Sequence, residues 1–96
     1  MDTQYRQVAE VEVAPMLEET ILYHSAKQRF CVLNATAAFV WSRLEAPSSA
    51  SELASAVAAE FAGVAPSDAQ RDVAAMLSEL RKLELIEPSA NEEQHA

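Results

Sequence analysis

A chain of 96 residues holds one domain with a single modest core, and an apolar half of its residues excludes a disordered chain. The formal charge of −8, from 15 acidic against 7 basic residues, argues against nucleic acid and anionic membrane as partners. A lone cysteine, Cys31, excludes an internal disulfide, and without a signal-peptide stretch or an apolar run of roughly 20 residues the expected location is the cytoplasm.

Residues 1–7, which hold no apolar stretch, are expected to form a flexible N-terminus. In Val11-Glu12-Val13 apolar and acidic residues alternate, as in a half-buried strand. Thr20 to His24 and Arg29 to Leu33 are rich in β-branched and aromatic residues and read as a hairpin around Ser25-Ala26-Lys27-Gln28. With His24 opposite Arg29, Tyr23 falls opposite Phe30, Leu22 opposite Cys31 and Ile21 opposite Val32. Both faces of the hairpin are then apolar, so both need cover or one is used.

Asn34 can cap a first helix that carries Ala37, Val40, Trp41 and Leu44 at helical spacing. Ser49-Ala50-Ser51-Glu52 has the form of a capping box and opens a second helix with Leu53, Val57 and Phe61 on one face. After the short link Gly63-Val64-Ala65-Pro66, Ser67-Asp68-Ala69-Gln70 repeats the capping logic. Val73, Met76, Leu77, Leu80 and Leu83 give that third helix its apolar stripe. Residues 88–96 are polar and acidic, and read as a disordered tail. The domain expected over residues 8–87 is α+β and winged-helix-like, a three-stranded antiparallel sheet followed by three helices.

The chemistry is read mostly by exclusion. Of two histidines, His95 lies in the tail and His24 at a hairpin end has no orienting motif around it, so no catalytic set converges. One glycine, Gly63, permits neither a P-loop nor a dinucleotide fingerprint. Cys31 has no neighbouring ligand for zinc and reads as a small buried hydrophobe, while the helical spacing of Trp41 places it in the core. Arg71, Arg81 and Lys82 interleave with Asp68, Asp72, Glu79 and Glu84, as on a solvated mixed face. No metal, no cofactor and no enzymatic activity are expected, and the chain should act by binding. The segment Arg29 to Leu33 lies at a sheet edge if strand order follows the chain, with no proline and no inward lysine to block strand addition. An extended peptide could pair with it, with side-chain pockets alongside. Equally, the terminus, a loop or a second copy of the chain could cover it.

The run Leu33-Asn34-Ala35-Thr36-Ala37-Ala38-Phe39-Val40-Trp41 resembles a motif of the PqqD-like family, a strand ending in Leu-Asn followed by a helix with an apolar residue and Trp. The capped helix at Ser49-Ala50-Ser51-Glu52-Leu53 and the ending Leu80, Leu83, Leu85, Ile86 continue the resemblance, which spans about residues 8–87. It implies a recognition element for ribosomally made, post-translationally modified peptides (RiPPs), without catalytic activity. In that family the leader of a precursor peptide lies as an added strand beside the third strand, in a groove walled by the third helix. The element then delivers the peptide to a modifying enzyme, such as a radical SAM enzyme, a protease or a cyclase. On these terms the peptide-binding residues are Arg29, Phe30, Cys31, Val32 and Leu33 on the strand and Arg71, Ala74, Ala75 and Ser78 on the helix. The small helix residues leave room for a bulky leader side chain.

The fold also permits an adaptor subunit for a folded protein, or a winged-helix DNA-binding protein. Asp68 and Asp72 near the start of the presumed recognition helix oppose the latter. Relatives often carry glycine in the hairpin turn, in the first helix and near the end of the third, where this chain has Ala26-Lys27-Gln28, Ala37 and Glu84. Turn and cap geometry are therefore the places where it should depart. The pyrroloquinoline quinone branch differs around the strand-to-helix junction, so the resemblance does not carry that pathway.

Overall fold

The computed structural model describes residues 3–89. Along the chain run β1 (Gln4–Gln7), β2 (Val11–Pro15), β3 (Thr20–His24), β4 (Arg29–Leu33), α1 (Ala35–Arg43), β5 (Ser48–Ser49), α2 (Ala50–Glu60), α3 (Pro66–Lys82) and β6 (Ile86–Pro88). The architecture is α+β and winged-helix-like, as expected, but it holds two three-stranded antiparallel sheets instead of one.

The first sheet, in the order β2-β3-β4, is the wing. Its hairpin has the register read from the sequence, with His24, Tyr23, Leu22 and Ile21 opposite Arg29, Phe30, Cys31 and Val32. Alternation sends Leu22, His24 and Leu33 into the core, while Phe30 and Val32 point outward, 68% and 57% exposed. Outside, the Phe30 ring packs on Tyr23 with centroids 4.7 Å apart. Cys31 is only half-buried, against the expectation of a core residue, because its strand forms the edge of the sheet.

The second sheet, in the order β5-β1-β6, takes up Gln4–Gln7 of the segment expected to be flexible, and so corrects that expectation for those residues; residues 1–2 lie outside the described ones. The strand β1 reads Gln-Tyr-Arg-Gln, which has no apolar alternation, and its partners Ser48–Ser49 and Ile86–Pro88 are remote in the chain. Its order comes from pairing. Gln7 N–H donates to the Leu44 carbonyl at 3.1 Å and Val8 N–H to that of Leu85 at 3.0 Å. The Gln7 Nε2 donates to the Trp41 carbonyl at 2.8 Å, and Arg6 meets Glu87 at 3.0 Å. Of the stretch read as a disordered tail, Pro88 belongs to β6 and Ser89 N–H donates to the Gln4 carbonyl at 2.7 Å. The remainder of that stretch lies outside the described residues.

Local chemistry sets the helix starts. The Asn34 side chain accepts from Ala37 N–H at 2.9 Å. Ser49 and Glu52 form the reciprocal capping box, at 3.2 Å and 2.8 Å. The third helix starts differently from its expected serine cap: Ala65 is the N-cap, no side chain caps it, and Pro66 opens the first turn. Proline brings a preset φ and removes one of the N–H groups that the first turn leaves without a helical partner, and Asp68 in that turn favours the positive end of the helix dipole. Leu22, Val40, Leu44, Leu53, Val57, Val73 and Leu85 are fully buried, and Trp41 and Leu77 join the same core.

Two of the glycine departures fall on left-handed backbone. Gln28 in the hairpin turn has φ +54°, and Glu84 beyond α3 has φ +62°. The Lys27 ammonium reaches the Glu84 carboxylate at 3.2 Å, so the two turns are tied together. Ala37 sits in ordinary helix, where glycine is not required.

Candidate functional site

Among the strands of the wing, β3 pairs on both sides, whereas β4 pairs only with β3 and leaves one edge open. The strand that the sequence reading counted as third is therefore β4, and it lies at an edge. Beside that edge runs α3, in the opposite direction. The Arg29 guanidinium donates to the Lys82 carbonyl at 3.4 Å, Cys31 lies within the field of Glu79, and Leu33 shares a cleft with Met76 and Leu80. The cleft measures about 160 Å³ and is walled by Cys31, Val32 and Leu33 on one side and Met76, Glu79 and Leu80 on the other, with Ala37 of α1 at its end. That is room for one aliphatic or aromatic group, since a cavity of roughly 150 Å³ accepts benzene.

The strand residues named from the sequence divide by face. Cys31 and Leu33 look into the cleft, Phe30 and much of Val32 look out from the other face, and Arg29 closes the end nearest the turn. The helix residues named from the sequence do not gather here. Ala74 and Ser78 line a separate hollow of about 440 Å³ on the opposite flank of α3, with Tyr5, Ala50 and Arg81. Arg71 is exposed and binds Asp68 at 2.6 Å, and Ala75 is exposed and lines neither hollow. Met76, Glu79 and Leu80 supply the helix wall instead. The buried stripe Val73-Leu77-Leu80 has a flank on each side, Ala74 and Ser78 on one and Met76 and Glu79 on the other. Which flank faces β4 is a matter of packing, and Ala74 and Ser78, two of the three small residues that seemed to promise room, line the hollow on the far one.

The hollow on the far flank cannot take a strand. Its wall is β1, already paired with β5 and β6. The Arg81 guanidinium there lies 5.6 Å from the centre of the Tyr5 ring.

Electrostatics differ across the cleft. Burial pushes the Cys31 thiol up from its ordinary pKa, and the nearby Glu79 carboxylate adds to the shift, so the sulfur is a neutral thiol near neutral pH. Glu79 is exposed, and it forms no ion pair among the described residues. His24 is buried behind the turn, its Nδ1 accepting from Lys27 N–H at 3.4 Å. Among the described residues no three His, Cys, Asp or Glu side chains converge as for a metal. No described helix is long and apolar enough to cross a membrane.

Residues 19–86 match the family model described as Coenzyme PQQ synthesis protein D (PqqD). The chain belongs to the PqqD family. Two solved structures share the fold of this PqqD-family chain. One is "Lasso peptide synthetase B1 complexed with the leader peptide", 28% identical with a TM-score of 0.74, covering 88% of this chain and 98% of that one. The other is "TbiB1 in Complex with the TbiA(beta) Leader Peptide", 28% identical with a TM-score of 0.76, covering 90% and 99%. No curated protein matches the chain.

Proposed function

We infer that this PqqD-family chain is a non-catalytic recognition element in the cytoplasm, which binds the leader region of a ribosomally synthesised precursor peptide and presents it to a modifying enzyme. The leader lies as an added strand on β4. The observation that carries this reading is the open β4 edge beside an apolar cleft, in a chain that matches two proteins solved with leader peptides over nearly its whole length.

Backbone pairing along Arg29–Leu33 gives affinity without telling sequences apart, so selection falls to side chains. Those of an added strand alternate. One set enters the cleft against Cys31, Leu33, Met76 and Leu80, and the other packs outside against Phe30 and Val32. Burying about 100 Å² of one apolar anchor contributes roughly 2.5 kcal/mol. The ordering of the peptide offsets part of that gain, and a few anchors with the backbone bonds bring the affinity to about micromolar or better.

The test is titration of ¹⁵N-labelled protein with synthetic leader peptides of candidate precursor peptides. Resonances of Arg29–Leu33, Met76 and Glu79 should move. Of Cys31→Pro and Val32→Pro, the one that removes an outward N–H should lose about tenfold in affinity or more, a loss of at least about 1.4 kcal/mol. Shifts confined to α2, with both proline variants binding like the parent, would place the site elsewhere.

A further inference from the structure

We propose that Glu79 selects leader segments that carry a lysine or arginine two residues from the aliphatic anchor. This rests on the leader-binding reading and narrows its substrate. The polarity of the cleft runs along its length. At one end Met76, Leu80, Leu33 and Ala37 form an apolar seat, and towards the turn Glu79 stands beside Cys31. Met76 and Glu79 are three residues apart on α3, a rise of about 4.5 Å. Two residues of an extended peptide span about 6.6 Å, so consecutive inward side chains meet first the seat and then the carboxylate.

Nothing in the described chain answers that carboxylate. Lys27 is paired with Glu84 and Arg71 with Asp68, and the Arg29 guanidinium, on the Lys82 carbonyl at the end of the cleft, forms no ion pair with Glu79. Lys82 itself lines the hollow on the other flank of α3. An added strand covers Glu79 and takes water from it. An apolar or acidic side chain at that position would leave the carboxylate desolvated without a partner, or repelled, so the site rejects as well as attracts. The neutral Cys31 thiol opposite suits the aliphatic stem of a lysine whose ammonium reaches on to Glu79. The overall charge of −8 adds a longer-ranged, salt-sensitive attraction for such a peptide.

The experiment is selection of a randomised nine-residue peptide display library on the immobilised full chain, followed by titration of the winners into labelled protein. The expected winners shift the Arg29–Leu33 resonances and pair an aliphatic residue with lysine or arginine two positions away. Glu79→Gln should weaken a lysine-bearing winner about fivefold and leave its glutamine analogue unchanged, while Glu79→Lys should turn the selected position acidic. Winners that dock on β4 with no charge preference, or whose preference survives Glu79→Gln, overturn the selectivity and leave leader binding standing. If no selected peptide moves the β4 resonances, leader binding itself fails and the selectivity with it.

Discussion

The same helix, α3, is flanked by β4 on one side and β1 on the other, and a hollow lies beside each strand. The larger hollow is the one at β1, with Arg81 and Lys82 on its rim. Size alone would choose it. Yet β1 spends both rows of backbone groups on β5 and β6, whereas β4 spends one row on β3 and leaves the other open. For a ligand recognised by its backbone, an unpaired edge counts for more than volume. The two sides differ in charge as well: the β4 cleft carries Glu79, which has no ion pair among the described residues, with Arg29 at the end nearest the turn, whereas the β1 hollow carries the cations Arg81 and Lys82.

The largest expected effect erases the comparison. Trp41 lies in the core that both sheets share, so Trp41→Ala should cost about 3–5 kcal/mol and melt wing and second sheet in one transition. Urea unfolding followed by circular dichroism and by amide resonances of both sheets measures this. A wing that survives the loss of the second sheet would mean two independent units.

A smaller effect sharpens it. Ala37→Phe fills the end of the β4 cleft, and Ala74→Phe fills the β1 hollow. The first should weaken leader binding about tenfold, near 1.4 kcal/mol, and the second should leave it within about twofold. Thermal melts of both variants separate lost binding from overpacking strain, which costs roughly 1–3 kcal/mol in a tight core. Should Ala74→Phe be the variant that loses the peptide, the roles of the two flanks are reversed.

The smallest effect concerns the corner that joins β4 to α3. Gln28→Gly relieves a left-handed side chain at φ +54° and should stabilise by about 0.5–1 kcal/mol, with peptide affinity unchanged. Glu84→Gly relieves the same strain at φ +62° but gives up the half-exposed ion pair to Lys27, so its gain should be the lesser. Paired denaturation curves decide between them.

Residues close in the chain determined what the sequence could say by itself. Asn34 and the Ser49–Glu52 box cap helices through bonds spanning three residues, and the hairpin register from Ile21–Val32 to His24–Arg29 follows from one turn and its alternation. The open edge at Arg29–Leu33 was legible for the same reason, since it needs only the order of neighbouring strands. Tertiary structure alone decided the rest. Gln4–Gln7 has no strand pattern of its own and becomes a central strand because Ser48–Ser49 and Ile86–Pro88 arrive on either side of it. The helix wall of the cleft is Met76, Glu79 and Leu80 and not Ala74 and Ser78, because helical periodicity defines two flanks to a buried stripe and gives neither a neighbour. Only packing against β4 distinguishes them, and that packing depends on contacts between residues far apart in the chain.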